Sequence, residues 1–169
     1  MANSSIGSER STDNGEVDSS ILSSPTNFTT KQSGDLSEMK FVVWCLERGL
    51  GVSIPVGDRL PYDVVVDVNG RLLKVQVKTG WRRSDSALEV TAASTTTENG
   101  KWVYRSYEGK VDGIVCYDSQ TYKFYYLKAN QIEGITRSIS LRIKPTQNRQ
   151  SRKVRLATDY ELLSVDQLF

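Results

Sequence analysis

Residues 62–79 read YDVVVDVNGRLLKVQVKT, two valine-rich runs joined by Asn69-Gly70. Asn-Gly between alternating apolar residues is the strongest local signal for a type I′ hairpin, because both central positions need a left-handed backbone. A turn there fixes the register. Val68 faces Arg71, Val66 faces Leu73, Val64 faces Val75 and Asp63 faces Gln76. Side chains alternate across a strand, so Tyr62, Val64, Val66, Leu73, Val75 and Val77 share a core face, and Asp63, Gln76 and Lys78 share the other.

A carboxylate opposite an amide, with a lysine one diagonal step away, concentrates polarity on a strand pair otherwise rich in valine. One reading is a solvated outer face. The other is a phosphoryl-transfer site. An Asp holds a hard divalent cation through oxygen, a Gln carbonyl completes its shell or orients water, and a Lys ammonium stabilises a phosphate or an attacking hydroxide.

The pattern resembles the PD-(D/E)xK nuclease superfamily, with Pro61-Tyr62-Asp63 as the first half and Gln76-Val77-Lys78 as a QxK variant of the second. The wider stretch 34–80, GDLSEMKFVVWCLERGLGVSIPVGDRLPYDVVVDVNGRLLKVQVKTG, resembles the start of the intron-associated homing group of that superfamily. So do GKVDGIVCYDSQTYKFYYLKANQI at 109–132 and SLRIKPTQNRQSRKVRLATDYEL at 140–162. Archaeal Holliday junction resolvases share the same core plan. The resemblance implies an α/β fold, with a mixed central sheet, helices on its faces and the active site at one edge. It also implies a site-specific Mg²⁺-dependent endonuclease of double-stranded DNA, with Mn²⁺ able to substitute.

In that reading Asp63 ligates the metal, Gln76 completes the shell or places water, and Lys78 stabilises nucleophile and phosphate charge. Glu38, on the first helix, takes a second metal or orients water. Gln76 stands where the commoner motif has an acid, which leaves the site one negative charge poorer. Two alternatives stay open, a junction resolvase and a catalytically inactive DNA-binding module.

At 169 residues, with 38% apolar and 25% charged, the chain has the size and composition of one globular domain. There is no histidine, which excludes Ser-His-Asp chemistry, His-ligated zinc and a histidine general base. Cys45 and Cys116 have neither zinc spacing nor the density of a secreted scaffold, and are expected to be reduced core residues. Without an apolar run of membrane length or a signal peptide, the expected compartment is the cytoplasm.

The net charge of +2 conceals an asymmetry, since residues 1–33 carry −2 and the remainder +4. Residues 1–33 are rich in Ser, Thr and Asn and read as a disordered tail, with the nuclease domain over 34–169. Leu36, Met39, Val43, Leu46 and Leu50 recur at helical spacing and predict an amphipathic helix starting at Gly34, with Asp35 and Glu38 as a capping box. Glu38 thus has a structural explanation as well as a catalytic one.

Gly51–Pro55 is expected to be a strand, 79–86 a polar loop, 88–93 a strand, and 111–117 with 122–127 a second hairpin followed by a short helix at 129–132. TTTENGKWVYRSYEGK, 95–110, has no assignable pattern. Its neighbours Tyr117, Tyr122, Phe124, Tyr125 and Tyr126 read as sheet packing. Trp81, Arg82 and Arg83 follow the polar cluster and are candidates for phosphate contact or base stacking. The run 137–155 is basic with no acid. Its Arg142, Lys144, Asn148, Arg149, Gln150, Arg152 and Lys153 suit phosphates and base edges. A small domain covers a long duplex poorly alone, so a homodimer or larger symmetric assembly is expected.

Overall fold

The computed structural model describes residues 28–144 and 154–169. Its α-helix and strands in chain order are α1 (Thr30–Leu46), β1 (Gly51–Ser53), β2 (Val64–Val68), β3 (Arg71–Thr79), β4 (Trp81–Ser84), β5 (Ala87–Thr91), β6 (Ala93–Glu98), β7 (Lys101–Ser106), β8 (Gly113–Asp118), β9 (Lys123–Lys128) and β10 (Ser138–Arg142), with short 3₁₀ helices at Ala129–Gln131, Ala157–Asp159 and Val165–Leu168. The hairpin β2–β3 has the register read from its turn: Val64 pairs with Val75, Val66 with Leu73 and Val68 with Arg71. Asn69 and Gly70 take φ of 55° and 84°, and the Asp67 carboxylate accepts the Gly70 N–H at 2.7 Å.

Beyond this hairpin β3 runs parallel to β8, from Val75 opposite Gly113 to Thr79 opposite Tyr117, and β8 runs antiparallel to β9. The result is a mixed sheet in the order β1-β2-β3-β8-β9, an α/β architecture. On one face α1 lays Phe41, Trp44 and Cys45 over Val64, Val66, Leu73, Val75 and Val77. Phe41 stacks on Trp44 at 6.0 Å and meets Phe124 edge-on at 5.9 Å.

The helix departs from its sequence reading in two ways. It starts at Thr30, not Gly34, because Thr29 and Gln32 form the capping box: the Thr29 hydroxyl accepts the Gln32 N–H at 3.3 Å and the Gln32 carbonyl accepts the Thr29 N–H at 2.9 Å. Asp35 and Glu38 therefore sit further into the helix and cap nothing. The buried face is also different. Leu36, Met39, Val43 and Leu46 are exposed, Val43 at 52%, and the aromatic pair Phe41 and Trp44 takes the core. Large rings bury more apolar area per residue than the aliphatic stripe, and that decides which way the helix rolls. The reading of residues 1–33 as a tail is corrected at its end, since residues 30–33 form the first turn of α1; residues 1–27 lie outside the described residues.

On the second face the expectation of helices fails. A three-stranded sheet, β10-β5-β4, covers it instead. Leu88, Val90, Ile139 and Leu141 pack there on Ile114, Cys116, Tyr125 and Leu127. Tyr62 precedes the start of β2 and joins this second core, not the α1 face. The expected loop 79–86 is largely β4, which folds back through Gly80, where an added Cβ would lie 2.6 Å from Cys116 Sγ and 2.8 Å from Leu88 Cδ1. Both cysteines are buried and free. Tyr117, Phe124, Tyr125 and Tyr126 are buried in the sheet as read, while Tyr122 is exposed in the β8–β9 turn.

Residues 160–162 line the outer edge of β9: the Tyr126 N–H donates to Tyr160 O at 2.7 Å and the Leu162 N–H to Phe124 O at 2.8 Å. No described helix is long and apolar enough to cross a membrane.

Candidate active site

β3 is the middle strand of its sheet, so the polar cluster lies at the end of a central strand and not on a sheet edge. Leu73, Val75 and Val77 point to α1, which leaves Gln76 and Lys78 on the opposite side. The Asp63 carboxylate crosses to meet them. Its Oδ2 accepts the Val77 N–H at 2.9 Å and the Gln76 side-chain amide. Gln76 is buried, and its amide also donates to Val77 O at 3.2 Å. The pair is therefore fixed relative to the strand that carries Lys78.

α1 is pinned to the same strand end. The Ser37 and Thr79 hydroxyls lie 2.6 Å apart, and Ser37 donates to Ser33 O at 2.8 Å. Glu38, the next residue, is half-buried and shares a cleft with Lys78, Gly80 and Trp81. The carboxyl of Glu38 is held above the ordinary range by burial and by the charge of Asp63, with Lys78 opposing. Asp63 is likewise raised by burial, against the Val77 hydrogen bond and the Lys78 charge. Two partly desolvated carboxylates with too little positive charge between them are a donor set suited to a cation. Among the described residues no three His, Cys, Asp or Glu converge, so two acids and an amide are what the site offers.

Lys78 borders a second cleft of about 510 Å³ with Asp63, Gln76, Arg59, Arg105 and Lys110. Its ammonium lies 5.2 Å from the ring centre of Tyr107, which is buried. Sequence reasoning found the acidic and amide residues and missed Arg59, Tyr107, Arg105 and Lys110. The last three lie in the stretch that had no assignable pattern.

The proposed DNA contacts divide. Trp81 is exposed beside the Glu38 cleft. Arg82 is not a free cation: its guanidinium binds Asp118, which is 1% exposed. Hydrogen bonds from Thr121, Arg82 and the Gln120 N–H outweigh burial and hold Asp118 below its ordinary value. Arg82 is thus a strut between β4 and β8. Arg83 is exposed, 3.8 Å from Glu89. Arg142 ends β10 and donates its N–H to Arg155 O at 2.7 Å, and Lys144 lies two residues beyond the strand. Asn148, Arg149, Gln150, Arg152 and Lys153 lie outside the described residues.

A family model described as PD-(D/E)XK endonuclease matches residues 28–163. The chain belongs to the PD-(D/E)XK endonuclease family. Among solved structures this endonuclease is similar to I-Ssp6803I, a bacterial homing endonuclease, at 34% identity over 79% of this chain and 89% of that one, with a TM-score of 0.67. No curated protein matches.

The raised carboxyls of the endonuclease give a pH signature. Between the ordinary carboxylate values and the raised ones, the folded chain binds more protons than the unfolded chain. Stability in metal-free buffer therefore rises as pH falls through that window. Glu38→Gln is expected to flatten this rise, and thermal melts at stepped pH check it. A divalent ion that binds the ionised pair reverses the trend, with a stabilisation that grows as pH rises.

Proposed function

We propose that the chain hydrolyses phosphodiester bonds of double-stranded DNA at specific sites with Mg²⁺, Mn²⁺ being able to substitute. The observation that carries this reading is the bond between Asp63 and Gln76 beside Lys78, with Glu38 brought to the same strand end by α1. Asp63, Glu38 and the Gln76 carbonyl are all oxygen donors, the ligand type that hard divalent ions take. For Gln76 this needs its amide rotated, so that Oε1 replaces Nε2 in the cleft. A divalent ion held by these residues would supply Lewis-acid chemistry, activating water and offsetting phosphate charge.

The chain's own groups do the rest. Lys78 places an ammonium where charge develops on the phosphate oxygens, in a setting partly shielded from water. Tyr107 holds that ammonium over its ring and limits its swing. Arg59, Arg105 and Lys110 give the adjoining cleft three cations for backbone phosphates on either side of the scissile one. Water attacks directly, and no side chain becomes covalently linked.

Trp81, Arg83 and the ends of the basic 137–155 run extend the DNA surface. A symmetric homodimer would present two such centres to the two strands. The reading places the enzyme in the cytoplasm, with access to duplex DNA.

The test is cleavage with Mg²⁺ of supercoiled plasmid, genomic DNA and a synthetic four-way junction. Discrete duplex fragments are expected, with Lys78→Ala slower by about 10²–10³-fold. Cutting confined to the junction would make the protein a resolvase. Metal-independent cutting, or equal rates for Lys78→Ala, would overturn the proposed centre.

A further inference from the structure

β6 and β7 hydrogen-bond to each other and, among the described residues, to no other strand. Asn99 and Gly100 close the hairpin with φ of 50° and 74°. A lone two-stranded hairpin is marginal in water, so this one needs support. Its base has some: Ser106 Oγ donates to Ile135 O at 3.1 Å and Lys110 Nζ to Ser106 O at 2.9 Å. Its outer half has little, which leaves Trp102 72% exposed and Tyr104 43% exposed.

The register separates two faces. Thr95 pairs with Tyr104 and Thr97 with Trp102, which gives one face of hydroxyls and aromatic rings without a charge. On the other, Ser94 pairs with Arg105 and Glu98 with Lys101, with Arg105 bonded to Glu98. Arg137 lies over the Tyr104 ring at 4.7 Å. The ribbon is continuous with the active site, since Ser94, Arg105 and Ser106 at its base line the cleft that holds Asp63, Gln76 and Lys78.

We propose that the β6–β7 ribbon enters the major groove beside the scissile phosphate and reads bases there through Thr97, Trp102 and Tyr104. This rests on the DNA endonuclease reading above. A groove about 12 Å wide admits a two-stranded ribbon. Strands of six residues, at roughly 3.4 Å each, reach about 20 Å, enough to leave the cleft and span the groove floor. Hydroxyls serve as donor or acceptor to base edges, and the threonine methyls and tryptophan ring suit thymine methyls. Arg137, over the Tyr104 ring, stands beside the uncharged face and meets a phosphate that borders the groove, while Lys101 and Arg105 lie on the ribbon's opposite face. A protein partner would cover the aromatic face without needing a cation beside it or continuity with the catalytic cleft.

The experiment is cleavage of a randomised duplex library by the full chain with Mg²⁺, with the cut ends sequenced. Wild type is compared with Thr97→Ala/Trp102→Ala and with the milder Trp102→Phe. The expected result is a block of preferred bases at a constant offset from the cut. In the double variant, discrimination in that block falls about tenfold while preferences elsewhere persist, and Trp102→Phe lies between. Circular dichroism melts of both variants confirm the fold, since the altered side chains are exposed.

An unchanged base profile in folded variants would overturn the ribbon's role. So would an unchanged profile with altered oligomer mass, which would make the ribbon an edge for self-association. A wild-type chain that leaves the library and plasmid intact would overturn the endonuclease reading and this inference with it.

Discussion

Asp63→Asn is expected to lower Mg²⁺-dependent cleavage by about 10³-fold or more, the equivalent of several kcal/mol of transition-state charge stabilisation, without lowering thermal stability in metal-free buffer. The two halves of that expectation have one cause. Asp63 is partly buried and its ionised form is disfavoured, as is that of Glu38 nearby. The neutral amide keeps an acceptor for the Val77 N–H and meets Gln76 once that side chain rotates. What disappears is a charge that the fold holds at a cost and the chemistry requires, the usual trade at active sites. Single-turnover rates and metal-free melts measured on the same preparation check both halves. A variant that cuts within tenfold of wild type would remove Asp63 from the centre. One that melts well below wild type would make it a structural residue.

The second large effect is on folding. Phe41→Ala is expected to cost about 3–5 kcal/mol, as do aromatic truncations in close-packed cores, because Phe41 is fully buried between Trp44 and Phe124. Val43→Ala, two residues along the same helix, is expected to stay within about 0.5 kcal/mol, the ordinary range for exposed positions. Urea unfolding of the two variants decides between the observed roll of α1 and the aliphatic one. Equal losses, or a larger loss at Val43, would show that the aliphatic stripe is buried after all.

That contrast shows where sequence reasoning ran out. Helical spacing identified α1 and its phase relative to itself, but two apolar stripes share this helix, Leu36-Met39-Val43-Leu46 and Phe41-Trp44-Cys45. Choosing between them requires the sheet that the helix lies on. The helix start was misplaced because Asp35 and Glu38 imitate a capping box that Thr29 and Gln32 already form. Moving it freed Glu38 from any capping role.

The central hairpin was legible down to its register. There a turn dipeptide and strict alternation agree, and the Asp63, Gln76 and Lys78 cluster follows from counting. Asn99-Gly100 carries the same turn signal as Asn69-Gly70, yet its hairpin went unread. Its flanks are threonines and exposed aromatics with no apolar alternation, since neither face is buried in a core. Strands that bury no face leave little hydrophobic pattern to read. Arg82 shows the opposite failure: a basic residue after the motif suggests DNA, and only the fold brings Asp118, 36 residues away, to bind it.

The parallel union of β3 with β8 bears on how the enzyme comes into being. β3 carries Gln76 and Lys78, but its second neighbour is contributed by residues 113–118, after four intervening strands. During synthesis Lys78 emerges before the strand that flanks it, and non-local pairing of this kind is slow to form. A chain interrupted before residue 113 lacks both β8 and the β9 that follows. The nuclease is therefore assembled late, and abandoned fragments from the ribosome carry the motif residues without the frame that arms them.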